Sequence, residues 1–386
     1  MVQDKDGRLL VQRAIGTFII FLGILLGSLE ITAQQQSHFT DFRMAPSQLN
    51  PGLTGAFKGT YKINGLYRGQ WGGFGDSQGL RTIVGSVELN VKGNLLLEND
   101  WISAGFNIYQ DEAGTSRRKF NSTGFSIGYH LGLDKDYKNV ISAGFSYNNL
   151  SSRIGQFTLR GDLGSTQPNY LDGIDIPPSP CNLPGCEGQS ENQPGANDIS
   201  IGFTYKTEID ENPLRLGISM LHLNQPEATV AVARGGGADS IGGGVPNPNP
   251  TPQGRNIDQF RRVLAFHAET SMLMSPRVRL NPAALFMVSG GTTEFQVQST
   301  LDYLVNPKEQ ISVIGGLGIR PLPSFDAAYL MAGLAIKDLT VRLSYDLTLS
   351  ALRELGGGNG FELSVGYIGK IYRDPKVDKV IFCPRL

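Results

Sequence analysis

The sequence predicts an all-β chain: a transmembrane, up-and-down antiparallel β-barrel of about 14 strands, preceded by a cleaved signal peptide. Three observations carry that expectation. In Thr340–Leu352, Val341, Leu343, Tyr345, Leu347, Leu349 and Ala351 alternate with Thr340, Arg342, Ser344, Asp346, Thr348 and Ser350. Side chains alternate across a strand, so one face here is apolar and the other wet, whereas a helix would scatter both sets around its circumference. Composition agrees: 18% charged residues and 49 glycines among 386 suit a barrel wall better than a helical enzyme. The third observation is that long connections fall only at odd-numbered junctions between alternating segments.

Residues 1–33 read as an export signal. Arg8 and Arg13 flank an apolar run of sixteen residues, Ala14–Leu29, and Ala33 offers a small residue at a cleavage point before Gln34. That run is short of the roughly 20 residues needed to span a bilayer, which favours cleavage over an uncleaved anchor. Residues 34–58 form a polar, irregular lead-in with turn signals at Asn50-Pro51-Gly52 and Thr54-Gly55. It is either a plug entering the lumen or a periplasmic segment.

Residues 59–370 hold the barrel. Its fourteen alternating segments are Gly59–Trp71, Leu80–Val91, Asp100–Ala113, Lys119–Asp134, Tyr137–Arg153, Asn197–Ile209, Pro213–Asn224, Arg261–Leu273, Arg277–Ser289, Thr292–Val305, Gln310–Arg320, Ser324–Lys337, Asp338–Arg353 and Gly358–Lys370. Arg277–Ser289 is the weakest, because Pro282 interrupts a ladder. Residues 371–386 then form a periplasmic tail. Connections after the fourth, sixth, eighth, tenth and twelfth segments are tight, whereas Ile154–Ala196 and Gln225–Phe260 follow the fifth and seventh. Alternate connections of an up-and-down barrel lie at opposite ends, and bacterial outer-membrane barrels have short periplasmic turns and longer extracellular loops. A soluble sandwich has no reason to sort its loops this way. Closure also satisfies the backbone, since in lipid every polar group must pair internally.

On this reading the apolar faces meet lipid, while Lys206, Glu294, Asp302, Arg342, Asp346, Glu362 and Lys370 face the lumen. Their mixed signs suit mutual pairing in a wet interior or selection of a substrate. Leu347→Arg then costs about 2–4 kcal/mol at the bilayer midplane, and Asp346→Asn leaves insertion nearly unaffected. Tyr67, Trp71, Trp101, Tyr109, Tyr129, Tyr147, Tyr303 and Tyr367 suit interfacial girdles or lumen packing.

Chemistry is thinly signalled. His38, His130, His222 and His267 stand on separate segments with no partner at motif spacing, so no catalytic residue is nominated. The triple glycines precede no Lys-Ser/Thr, and no Cys or His spacing suits zinc, so neither a cofactor nor a metal is expected. Cys181 and Cys186, five apart around a Pro-Gly pair, form a disulfide in an exported chain or remain two free thiols. A net charge of −1 gives no case for nucleic acid.

Both ends of the chain carry a resemblance. Gln35 through Pro46, then Asn50, Pro51 and Gly55 within Leu49–Gly55, then Tyr67, Arg68, Gln70 and Trp71, resemble the opening of the PorP/SprF family. Tyr345-Asp346, Gly360–Ser364 and Cys383-Pro384-Arg385 resemble its final hairpin and tail, and Gly52 stands where that family usually has alanine. The resemblance implies an outer-membrane barrel of the Bacteroidetes type IX secretion and gliding machinery, similar in architecture to fatty-acid channels. The partners it implies are outer-membrane lipid, a large secreted or surface-anchored protein and other subunits of the machinery. The other readings are a channel for small apolar molecules and, last, an outer-membrane hydrolase.

Overall fold

The computed structural model describes residues 39–70, 79–91, 99–113, 118–153, 195–209, 211–229, 257–290, 292–322, 326–349 and 359–371. The expected signal peptide, His38, Trp71, Cys181, Cys186, the Pro-rich parts of both long connections and the tail from residue 372 lie outside these residues.

Strands β1 (Tyr61–Gln70), β2 (Leu80–Val91), β3 (Trp101–Ala113), β4 (Arg118–Gly132), β5 (Val140–Arg153), β6 (Ala196–Ile209) and β7 (Asn212–Leu221) form one half of the wall. The other half is β10 (Val263–Thr270) with β11 (Met272–Ser275), β12 (Val278–Ser289), β13 (Thr292–Asn306), β14 (Ile311–Leu322), β15 (Ala327–Ile336), β16 (Leu339–Thr348) and β17 (Gly360–Gly369). Each strand pairs antiparallel with its neighbours in sequence, β10 bridges β7 and β12, and β1 pairs with β17 from Tyr61↔Gly369 to Gln70↔Gly360. Counting β10 and β11 as one stave, the sheet closes into a barrel of fourteen staves. A separate ribbon, β8 (Glu227–Thr229) with β9 (Ile257–Gln259), stands within the second long connection. Among the described residues no helix is long and apolar enough to cross a membrane.

Where the segments deviate from plain alternation, the cause is local. The eighth segment breaks between β10 and β11, opposite Pro282. Pairing of β12 with β10 ends at Ala283 and resumes with β11 at Leu280, so the missing proline N–H falls where the partner strand is interrupted. On its other side Pro282 stays in register with Ser299. Two-residue hairpins join β6 to β7 and β15 to β16, with φ of 65° at Glu211 and 54° at Lys337, the positive φ that such turns need. Lys370 lies past the end of β17, exposed, where it pairs with Asp338 at 3.2 Å. It belongs to the short-turn rim rather than to the lumen.

The polarity of the wall is inverted relative to a soluble protein. Phe125, Ile127, Leu317, Leu330 and Leu343 are each more than half exposed on the outer face. Ser126, Ser146, Ser200, Gln296, Thr300 and Ser364 are buried on the inner one. Outward Tyr61, Tyr129, Tyr205, Tyr303 and Tyr367 sit toward the short-turn ends of their strands and form an aromatic girdle there. Trp101 and Tyr109 turn inward instead, because both fall on the parity of buried Ser103 and Asn107.

On β16, Leu343 lies mid-strand and Leu347 lies toward the long-loop end, so depth ranks their tolerances. Leu343→Arg costs about 2–4 kcal/mol of folding free energy, and more than Leu347→Arg, since the penalty fades toward the interface. Urea unfolding in lipid vesicles checks the ranking; equal costs would contradict this placement of the membrane.

Candidate functional site

The inner wall is mostly polar, and a polar segment fills it. Phe39–Ala56 runs down the lumen from the long-loop half to the short-turn end, through single turns at Phe42–Met44, Pro46–Leu49 and Pro51–Leu53. Pro46 and Pro51 open two of these turns, where a missing N–H is harmless. Asp41 and Asn50 are wholly buried.

At the upper end, Thr40 and Asp41 donate backbone N–H groups to the Glu362 carboxylate at 2.9 and 3.0 Å. The Thr40 hydroxyl donates to Asp346 at 2.9 Å. Arg68 bridges both acids, at 2.9 Å to Asp346 and 3.4 Å to Glu362, and Arg320 adds 3.1 Å to Asp346. Arg342 grips Asp41 at 2.6 Å, and Gln298 donates to the same carboxylate at 3.0 Å. Burial pushes the Asp41 carboxyl upward, but Arg43 and Arg342 outweigh it and hold the group well below the usual carboxylate range. Arg43 continues to the Asn281 carbonyl at 3.1 Å. Glu294 is within electrostatic reach of Arg320, and Asp302 of Arg342. Three of the charges expected in the lumen, Arg342, Asp346 and Glu362, thus join one ion-pair cluster around the lead-in, with Glu294 and Asp302 beside it. Lys206 stands apart, near the short turns, donating to the Tyr137 carbonyl at 2.9 Å.

At mid-height the lead-in lies against bare backbone. Gly128, Gly144 and Gly202 are register partners on β4, β5 and β6. A Cβ on Gly144 would meet the Pro51 carbonyl oxygen at 2.1 Å, and one on Gly202 would meet Asn50 Oδ1 at 1.8 Å. Asn50 Oδ1 accepts from Gly52 N–H at 2.7 Å, while its Nδ2 reaches the Phe203 carbonyl and His267. Lower down, Gly55 N–H donates to Glu88 at 2.7 Å, and φ of 77° suits glycine there.

The sequence signal reached Asn50, Pro51, Gly55 and Arg68, all of which lie at this interface; Tyr67 faces outward and Gln70 ends β1. It spanned Thr40 and Asp41 without assigning them a partner, and it did not nominate Gln296, Gln298, Arg320 or the glycine row, whose roles depend on cross-barrel pairing.

Serine and histidine do meet: His130 contacts Ser103 at 3.0 Å and Ser142 at 2.7 Å. Both Ser103 and His130 Nε2 point at the Thr54 carbonyl, at 2.6 and 2.8 Å. With Nε2 donating to that carbonyl, Nδ1 keeps the lone pair and accepts from the Ser142 hydroxyl, and the Ser103–His130 pair anchors the lead-in. The mouth is narrowed by Phe260 of the second long connection, its ring tilted against Phe120 and His222, with Tyr109 leading from Phe120 to Phe39.

Asp346 is therefore buried among cations rather than solvated, and its loss acts on the stability of the folded barrel. Asp346→Asn leaves Arg68 and Arg320 buried without their shared carboxylate, a loss on the order of 3 kcal/mol. Urea unfolding of the folded barrel reads it; a loss under about 1 kcal/mol, the range of an exposed pair, would mean water screens the cluster.

No match was found among curated protein sequences. Among solved structures, the chain resembles the translocator domain of the autotransporter NalP from Neisseria meningitidis, with 12% identity, TM-score 0.38, and 84% of this chain and 95% of that one covered. It also resembles the CymD monoaromatic hydrocarbon channel, with 10% identity, TM-score 0.48 and coverages of 84% and 92%. For a Pseudomonas aeruginosa FadL homologue the values are 12%, 0.41, 82% and 92%. These likenesses are distant, and the barrel rests on the chain's own strand pairing. Residues 31–367 match the family described as type IX secretion system membrane protein PorP/SprF. The chain, an outer-membrane β-barrel, belongs to the PorP/SprF family of type IX secretion system membrane proteins.

Proposed function

We propose that this barrel is a non-enzymatic component that supports the secretion or surface retention of one large cognate protein, through contacts made by its extracellular loops. The observation that carries the reading is the occupied lumen. The lead-in contacts β1, β13, β16 and β17 through the ion-pair cluster, and β3 to β7 and β10 through the glycine row and the histidine contacts. Such a lumen favours a wall that presents loops over a pore that passes solutes. Long connections confined to one end put a binding surface where an exported protein emerges.

A channel for small apolar molecules is the competing reading, and it requires the lead-in to leave its seat. One experiment separates the two. Replacing residues 158–192 and 231–255 with short Gly-Ser linkers leaves a folded, heat-modifiable barrel, lowers the surface level of one large secreted protein at least tenfold, and leaves liposomes impermeable to small solutes. Unchanged surface proteins would defeat the proposal, and solute uptake by the intact barrel would favour the channel.

A further inference from the structure

Below the lead-in, at the short-turn end, lies a cavity of about 990 Å³. Lys58 of the lead-in, Lys206 of β6 and Arg215 of β7 line it, together with Phe57 and Trp101. A further cation, Lys62, lies 5.8 Å from the centre of the Phe57 ring. Arg215 is engaged by Glu269 at 2.6 Å and by the Ala56 carbonyl at 3.0 Å. Lys206 reaches only a neutral carbonyl. Among the described residues no carboxylate lies within ion-pair distance of Lys58, Lys62 or Lys206, and Asp136 is the single acid in the lining. Like charges gathered in a concave, partly dry wall focus a positive potential that an anion relieves.

The rim of the same cavity has a different chemistry. Leu89 and Val91 point outward from β2, 48% and 56% exposed, and Ile371, just past β17, is 62% exposed. One cavity therefore joins luminal cations to apolar side chains that face the bilayer, at the level of the leaflet bordering the periplasm. A free anion would use the cations alone, whereas an amphiphile uses both zones.

We propose that this cavity is a binding site for an anionic phospholipid of the periplasm-facing leaflet. The phosphate sits among Lys58, Lys206 and Arg215, and an acyl chain leaves past Leu89, Val91 and Ile371. The site would hold the foot of the lead-in against the wall, since Phe57, Lys58 and Gly59 form one side of it.

The test is lipid retention by the full-length barrel purified in mild detergent, counted by native mass spectrometry after adding phosphatidylglycerol or phosphatidylcholine. The wild type keeps one phosphatidylglycerol and at least tenfold less phosphatidylcholine. Lys58→Gln with Lys206→Gln removes that preference while the heat-modifiable folded band persists, and Ile371→Asn lowers retention several-fold. If the double variant fails to fold, the wild type decides through competition with inorganic phosphate, which should displace the lipid poorly. Equal retention of both lipids, unchanged retention by the folded double variant, or ready displacement by phosphate alone would each overturn the assignment.

Discussion

The constraint on which the rest depends is the pairing of the first strand with the last. Ten consecutive register pairs between β1 and β17 leave no open edge, and an open edge within hydrocarbon would strand a row of backbone donors and acceptors, each costing several kcal/mol. Once the ring is closed, the period of the strand fixes everything radial. Every second residue meets lipid and must be apolar, and the others point into a space too tight to be left as bulk water. The wall therefore creates a second problem, namely what to put inside it.

The lead-in answers that problem twice over: Phe42, Leu49 and Leu53 pack with Leu221, Val263, Leu285 and Met287 of the inner wall, and ion pairs surround its upper end. Buried ion pairs add little net stability over apolar packing, because desolvation offsets much of the attraction. What they add here is placement. Glu362 accepts two successive backbone N–H groups, Arg68 ties that acid to Asp346, and Arg342 takes the Asp41 carboxylate from the opposite side. A shift of the lead-in by one residue would break the Asp41–Arg342 pair and the Thr40–Asp346 hydrogen bond at once. The glycine row acts in the same sense by shape, since Asn50 and Pro51 approach the wall more closely than any side chain would permit.

The fold was more legible in the sequence than the lumen was. Alternation in stretches such as Thr340–Leu352 is a local property, so the staves, their number and the ends with short turns could all be read along the chain. Even the weak segment around Pro282 held its place, because the proline's missing donor coincides with a break in the neighbouring strand. The lumen is a property of residues distant in the chain, as in the contact between Thr40 and Asp346, 306 positions apart. Nothing local distinguishes Asp346, which anchors the lead-in, from Lys370, which sits on the rim. The resemblance picked out Asn50, Gly55 and Arg68, yet a motif alone does not say that Arg68 points inward while Tyr67 beside it points out.

The charges of the lead-in also resolve an ambiguity that a wholly apolar segment would create. The lead-in directly precedes β1, and both must be delivered to a membrane whose interior accepts any sufficiently apolar strand. An apolar lead-in would compete for the same lipid-facing surface as Leu343 or Ile127. A segment carrying Asp41, Arg43 and Asn50 is excluded from lipid by its desolvation cost and finds its complement only on the inner face, among Arg342, Thr300 and His267. The charge pattern that fixes its height in the lumen thus also fixes the side of the wall on which it lies. Inside and outside are told apart by the same ion pairs that hold the segment still.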